Sequence, residues 1–410
     1  MRYCVTGALY CDMEGGAGWN VYVRDNEGLR ELLASMGGTS FVALDTEFMR
    51  ERTYYARLCL VQVATDDVQA IVDPLAIDDL SPLLEFFYDT AVTKVLHAGS
   101  QDLEIFFRLG GRVPAPVFDT QVAATLAGFP TQVGYGALVH ELVGVKLDKS
   151  DTFTDWSRRP LSGTQIEYAL NDVRHLPAIY HALRDRLETE GRLSWLEPDF
   201  DAMVDPATYD LVPEEQFRRL KRISSLTPPQ LGVLMCVTAW REREARRRDM
   251  PRRWIVGDES LVEIARRAPR DNEELGKIRG VADKLAKSSY NGVLDAVRRG
   301  LELSEDELPY IERRRRRQLD VDGAVDLMAA LVRLRAKQHN IATPLLASRD
   351  ELRRLAGGER EGSALLESWR RSIVGEELLE LLDGRRSMRL ADGRLVVDEC
   401  GADTEGDGSG

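Results

Sequence analysis

The stretch Phe41 to Arg50, FVALDTEFMR, constrains the fold more than any other part of the chain. Its first four residues are apolar, which predicts a short buried strand that ends at Asp45, where the polar residues begin. Side chains two residues apart in a strand share a face, so the Asp45 and Glu47 carboxylates should point the same way. Two neighbouring anions favour a divalent cation between them, although a strand that runs into a polar turn would give the same tripeptide.

A second carboxylate segment spans residues 97–109, HAGSQDLEIFFRL. We expect a helix that begins at Ser100 or Gln101 and buries its apolar side chains. Asp102 then lies in the first turn, where a carboxylate complements the helix dipole whether or not it also serves a site. Asp119, before Thr-Gln, is interpreted as a helix N-cap.

A third segment, residues 164–181, reads TQIEYALNDVRHLPAIYH. Thr164 is predicted to cap a helix, with Glu167 completing a capping box. Tyr168 and Asp172 are four residues apart and therefore lie on one helical face. A buried Tyr-Asp pair can satisfy its own polar groups, but three other carboxylates make a shared site the stronger interpretation.

Asp45 and Glu47 on a strand, Asp102 in HAGSQDLEIFF, and Tyr168 with Asp172 in YALND together resemble the DEDD exonuclease superfamily, in its tyrosine-containing branch. The stretches DTEFMRERTYYARLCLVQ, FDTQVAATLAG and LDKSDTFTDWSRRPL are similar to those of the ribonuclease D family, in the same order. The resemblance implies a ribonuclease H-like α/β fold, a mixed sheet with flanking helices, over residues 21–208.

The same resemblance implies the chemistry. Two divalent ions, Mg²⁺ or Mn²⁺, would be held by the four carboxylates Asp45, Glu47, Asp102 and Asp172, and Tyr168 would position the attacking water. The expected reaction is 3′-5′ hydrolysis of RNA that releases 5′-mononucleotides. The expected partner is RNA, namely tRNA precursors with 3′ extensions.

The downstream half resembles two small all-α HRDC domains, a helical module shared with RecQ-type helicases. We expect the first at residues 225–303, beginning with Thr227 as a cap before Pro228, and the second at 304–385. Residues 209–224 are interpreted as a linker. Residues 1–20 are expected to be a flexible extension, and 386–410 a hairpin turning at Asp392-Gly393 and a disordered acidic tail.

Charge is distributed unevenly along the chain, which carries a net charge of −13. Residues 1–224 hold 21 Lys and Arg against 34 Asp and Glu, whereas residues 225–304 hold 16 against 12. The basic excess predicts a phosphate-binding surface there. Its candidate RNA contacts are Arg241, Arg243, Arg246, Arg247, Arg252 and Arg253. The run ERRRRR at residues 312–317 either binds phosphate or is a solvated face.

The composition and the N-terminal sequence indicate where in the cell the protein is expected to act. No apolar run is long enough to span a bilayer, and the N-terminus lacks a signal-peptide pattern. The five scattered cysteines predict free thiols. We therefore expect a cytoplasmic protein with no membrane contact. A monomer is expected as well.

Two other functions stay open at this point. A DNA 3′-5′ exonuclease would use the same four carboxylates, and a non-catalytic RNA-binding scaffold could retain the fold. A RecQ-like helicase is disfavoured because the sequence has no G-x-x-x-x-G-K-[ST] loop for nucleotide phosphates.

Overall fold

A computed structural model describes residues 19–147, 154–282, 285–311 and 321–400. The chain forms an α/β domain built on a six-stranded sheet, followed by helical units and a two-stranded hairpin. The predictions for residues 1–18, for the arginine run 312–317 and for the tail 401–410 lie outside the described residues.

The sheet is mixed, in the order β1-β4-β3-β2-β5-β6. Strand β3 runs antiparallel to both of its neighbours, β2 and β4, and the remaining pairs are parallel. This arrangement confirms the predicted fold class. The strands are β1 Trp19–Val23, β2 Phe41–Met49, β3 Arg57–Ala64, β4 Val68–Val72, β5 Thr93–Leu96 and β6 Val117–Asp119.

Helices cover both faces of this sheet. They are α1 Asn26–Ser35, α2 Ser81–Tyr88, α3 Ser100–Gly110, α4 Thr120–Leu126, α5 Tyr135–Leu138, α6 Gly163–Arg174, α7 Leu176–Thr189 and α8 Glu197–Val204. Alternation along β2 sends Val42 and Leu44 into the core shared with α1, α2 and α3. Ala43 faces the opposite core, which contains α4 and α7.

The prediction that β2 ends at Asp45 is wrong, because the strand continues to Met49. Strand β3 pairs along this extension as far as Met49 opposite Arg57, with a bulge between Glu47 and Phe48. On the other side, β5 pairs only as far as Ala43. The charged part of β2 is therefore still a strand, but it projects beyond its parallel neighbour.

The predicted cap of the Tyr168 helix is also wrong. Ser162, not Thr164, accepts a hydrogen bond from the Gln165 N–H, and the Gln165 side chain completes the capping box. The segment 164–181 spans two helices that meet at His175, and Pro177 lies in the first turn of α7. The register of Tyr168 and Asp172 on α6 is unaffected, since both residues lie well inside the helix.

Helices dominate the chain beyond residue 225. They are α9 Pro228–Arg248, α10 Arg252–Ile255, α11 Asp258–Arg267, α12 Asn272–Gly276, α13 Tyr290–Leu301, α14 Asp322–Gln338, α15 Thr343–Leu346, α16 Arg349–Ala356, α17 Ser368–Arg370 and α18 Glu376–Leu382. Thr227 caps α9 as predicted. The predicted hairpin is confirmed as β7 Arg386–Ala391 and β8 Arg394–Glu399.

Residues 209–224, predicted as a linker, are packed rather than extended. They include a 3-10 helix at Pro213–Arg219, and Phe217 and Ile223 are buried in the core of the first helical unit. The exact domain boundaries stay a prediction.

The second helical unit, α14–α18, shares a hydrophobic core with the nuclease domain. Met328 of α14 and Ile179 of α7 belong to the same buried cluster. Trp195 stacks on Trp369, with ring centroids 4.8 Å apart and planes 5° from parallel. The unit is thus attached through apolar surface.

Cys59, Cys236 and Cys400 are free thiols, as predicted for them, and Cys4 and Cys11 lie outside the described residues. Among the residues that the structure describes, no helix combines the length and the apolar surface needed to cross a bilayer.

Candidate active site

The candidate site begins on β2, where Asp45 and Glu47 lie two residues apart on one face. Leu60, directly opposite Glu47 on β3, packs against Ala169 and Leu170 of α6. The two carboxylates therefore lie on the sheet face that α6 covers. Because β5 stops short of them, they are open to one side and remain partly exposed.

Asp102 reaches the site from the first turn of α3, as predicted. The Gly99 N–H donates a 2.8 Å hydrogen bond to Asp119, whose other carboxylate oxygen caps α4. This confirms Asp119 as a cap and shows that it also fixes the start of α3. The Thr46 hydroxyl donates a hydrogen bond to the buried Asp102 carboxylate, which ties α3 to β2.

Tyr168 and Asp172 enter from α6, one turn apart. The Tyr168 ring lies 5.8 Å from that of Trp156, centroid to centroid. Arg159 donates to the Trp156 carbonyl oxygen at 2.8 Å and forms an ion pair with buried Asp73 at 2.5 Å. Sequence reasoning did not single out Trp156, Arg159 or Asp73, because nothing local indicates that Arg159 and Asp73, 86 residues apart, are partners.

The four carboxylates share one electrostatic environment. Burial, and then the charges of Asp102, Asp172 and Glu47, raise the pKa of Asp45 well above its usual range. Burial and the charges of Asp172 and Asp102 raise the pKa of Glu47 to about 8. Burial raises the pKa of Asp102 to about 6 and that of Asp172 to about 7. The raised pKa values reflect the burial of neighbouring carboxylates that have no basic partner in the described ranges.

Tyr168 belongs to the same environment. Burial, followed by the charges of Asp172 and Glu47, raises the pKa of its hydroxyl far above the usual value. The phenol therefore stays protonated at neutral pH and can both donate and accept a hydrogen bond.

No arginine or lysine in the described ranges forms an ion pair with any of the four carboxylates. Oxygen ligands of this type suit hard divalent cations. In the described part of the chain, however, no group of three or more His, Cys, Asp or Glu side chains already has the arrangement to hold one ion. The charges of Asp102 and Asp172 raise the pKa values of Asp45 and Glu47, so the four carboxylates lie near one another.

Three of the six arginines predicted to bind RNA are engaged inside the protein. The Arg241 side chain is 5% exposed and pairs with Asp258 at 2.6 Å, so it is not available to a phosphate. Arg246 and Arg252 surround Glu242 of α9, together with Tyr54 from the nuclease domain. We call Tyr54, Glu242, Arg246 and Arg252 the interface cluster.

The other three arginines lie at the surface, each beside an acidic side chain. Arg243 pairs with Glu214, and Arg247 pairs with Glu244 at 2.8 Å. Arg253 is 81% exposed and lies 3.6 Å from Asp258. Exposed pairs of this kind are weak and can exchange for a phosphate.

Comparison with known proteins agrees with this architecture. A family model described as 3′-5′ exonuclease matches residues 20–188, and one for the HRDC domain matches residues 230–297. The second helical unit lies outside both matches.

Curated and structural relatives extend over most of the chain. The ribonuclease D of Gluconacetobacter diazotrophicus is 44% identical over 89% of this chain and 93% of that protein. That of Sphingobium indicum is 42% identical over 92% and 97%. The crystal structure of Escherichia coli RNase D, "an exoribonuclease involved in structured RNA processing", matches with a TM-score of 0.77, 32% identity and coverage of 88% and 98%. The chain therefore belongs to the ribonuclease D family and is a hydrolytic 3′-5′ exoribonuclease.

Proposed function

We propose that this exoribonuclease removes extra 3′ nucleotides from tRNA precursors, using divalent metal ions held by Asp45, Glu47, Asp102 and Asp172. One observation carries the metal assignment: four carboxylates from β2, α3 and α6 lie near one another, and no arginine or lysine in the described ranges forms an ion pair with any of them. The DEDD exonucleases are divalent-metal dependent. Cations at this position would relieve the mutual repulsion that the protein leaves in place.

Each residue of the site has a proposed part in hydrolysis. The four carboxylates supply oxygen ligands from three separate elements, β2, α3 and α6, and the Thr46 hydroxyl fixes the Asp102 carboxylate. When bound, two divalent ions lower the pKa of a water molecule and stabilise charge on the leaving oxygen. Tyr168, protonated at neutral pH, orients the attacking water through its hydroxyl and does not act as the base.

Three surface arginines are the proposed contacts with the RNA substrate. Among the six candidate arginines, Arg243, Arg247 and Arg253 lie at the surface and are the proposed phosphate contacts. The protein is also proposed to act as a monomer. The free thiols of the described cysteines suit a reducing cytoplasm, where tRNA precursors are found.

The test is release of mononucleotides from a 3′-labelled tRNA precursor, with Mg²⁺ or Mn²⁺, by wild type and by Asp172→Asn. Losing one ligand should slow trimming about 10³-fold, since metal stabilisation contributes several kcal/mol. Asp185→Asn is the matched control, because Asp185 is an exposed carboxylate on the neighbouring helix α7.

Two results would contradict the proposal in different ways. Wild-type activity in Asp172→Asn would reject the ligand assignment. Efficient digestion of unstructured RNA without trimming of the tRNA precursor would reject the substrate. A DNA strand of the same sequence as the RNA measures how far the site discriminates through the 2′-hydroxyl.

A further inference from the structure

Gln62 is a buried amide that lacks hydrogen-bond partners. It lies near the middle of β3 with 0% of its surface exposed. Neither its side-chain oxygen nor its nitrogen has a partner within the described residues. An unpaired buried polar group costs about 1–3 kcal/mol, so a chain that keeps one here needs a reason.

The sheet register places Gln62 beside the candidate site. On β3 it lies directly opposite Asp45 of β2. Directly opposed residues of antiparallel strands share a face and have Cβ atoms about 4.5–5.5 Å apart. Gln62 therefore shares the face of the Asp45 carboxylate, under α6.

The other neighbours of Gln62 offer its amide little. Along the same face of β3, the residues two positions away are Leu60 and Ala64, both apolar and fully buried. Across the sheet on the other side, its partner on β4 is Ile71, also fully buried. The polar neighbours of Gln62 on this face are Asp45, directly opposite, and Glu47, diagonally across the strand pair and farther away.

We propose that Gln62 is a positioning residue for Asp45: in the metal-bound state its amide N–H donates to one carboxylate oxygen and leaves the other oxygen for the metal. This inference rests on the proposed function, since it assumes that Asp45 is a ligand. Groups that hydrogen-bond to a metal ligand fix its orientation and favour its charged form. The unpaired amide is then a donor held ready for the metal-bound state.

The test is Gln62→Met, which keeps the length of the side chain but removes both polar atoms. We expect Mn²⁺ affinity, measured by calorimetry without RNA, to fall about 10-fold or more. The rate should fall at low Mn²⁺ and recover in part at saturating Mn²⁺, with KM for RNA unchanged. Stability in EDTA should stay equal or rise, because an unpaired buried group is gone.

Thr238→Val is the matched control. Thr238 lies in α9 of the first helical unit, is 0% exposed and also has an unpaired buried hydroxyl. In EDTA the control should keep or gain stability, as Gln62→Met should, without any change in Mn²⁺ affinity. Gln62→Leu provides a second apolar replacement should the methionine variant fold poorly.

The outcomes separate this inference from the proposed function. Wild-type Mn²⁺ affinity in a folded Gln62→Met or Gln62→Leu protein would overturn the positioning role while leaving the metal site intact. Absence of Mn²⁺ binding by wild type, or unchanged binding in Asp45→Asn, would instead reject Asp45 as a ligand.

Discussion

The candidate site and the interface cluster both bury carboxylates, yet their pKa values move in opposite directions. Burial acts to raise the pKa of Glu242, but hydrogen bonds from Arg252 and Tyr54 and the arginine charges lower it overall. At the site, burial raises the pKa of Asp172 to about 7, and no arginine opposes it in the described ranges. Glu242, at the contact between the nuclease domain and the first helical unit, is paired with arginines of the same chain. The site carboxylates have no such partner in the described ranges and are available to bind cations.

The largest expected effect is on the interface cluster. Glu242 is 1% exposed, and Glu242→Gln would leave Arg246 and Arg252 without their counter-charge. Because both arginines reach solvent, we expect a loss of about 2–3 kcal/mol in unfolding free energy, below that for a fully buried pair. Urea unfolding at pH 7.5 measures it.

Glu263→Gln is the control for that measurement. Glu263 also pairs with two arginines, Arg266 and Arg267, but on the exposed surface of α11. Its replacement should change stability by less than about 0.5 kcal/mol. Equal effects of the two substitutions would show that burial of Glu242 does not matter.

A smaller effect is expected from Tyr54→Phe, which tests whether the Tyr54 hydroxyl stabilises the folded protein in addition to the arginine charges. The Tyr54 hydroxyl donates to Glu242 and accepts a hydrogen bond from Arg252 at 3.0 Å. Its removal should cost about 1–1.5 kcal/mol in the same unfolding assay. The adjacent Tyr55→Phe is the control, because the Tyr55 hydroxyl forms no hydrogen bond within the described residues. A similar loss of unfolding free energy in Tyr55→Phe would contradict the role of the Tyr54 hydroxyl.

The smallest expected effect has the opposite sign. In EDTA, Asp172→Asn should raise the unfolding free energy by roughly 1 kcal/mol, because it removes one charge from an unneutralised group. The folded-state pKa of Asp172, about 7, exceeds its unfolded value, so its stabilisation is full at low pH and is lost as pH rises through 7. The gain should therefore be larger at pH 8 than at pH 6.

Glu242 provides the contrast for this pH dependence. Its folded-state pKa is lowered, so its contribution is present above the unfolded value and is lost as pH falls through the folded-state pKa. Between pH 6 and 8 the effect of Glu242→Gln should stay constant. A constant gain for Asp172→Asn over the same range would remove the distinction between the two groups of carboxylates.

The sequence was sufficient where the signal is local. The apolar run at the start of β2, the first turn of α3 and the four-residue spacing on α6 predicted which elements carry Asp45, Asp102 and Asp172. The catalytic roles of those residues stay predictions.

Contacts between distant residues could not be predicted in this way. Arg246 and Arg252 belong to a basic stretch, but their partner Tyr54 is more than 190 residues away. The position of Gln62 opposite Asp45 cannot be recognised until the register of β3 on β2 is known. Continuation of β2 to Met49 likewise depends on pairing with β3, which outweighs the polar sequence of the strand.

The stack of Trp195 on Trp369 bears on how this protein can be divided. A fragment that stops after the first helical unit would keep every proposed catalytic residue and yet lose part of the core around α7. The apolar surface uncovered in this way would favour aggregation, so a loss of activity in such a fragment would say nothing about RNA recognition. In this chain the segment that carries the proposed catalytic residues is shorter than the segment that completes the core around α7.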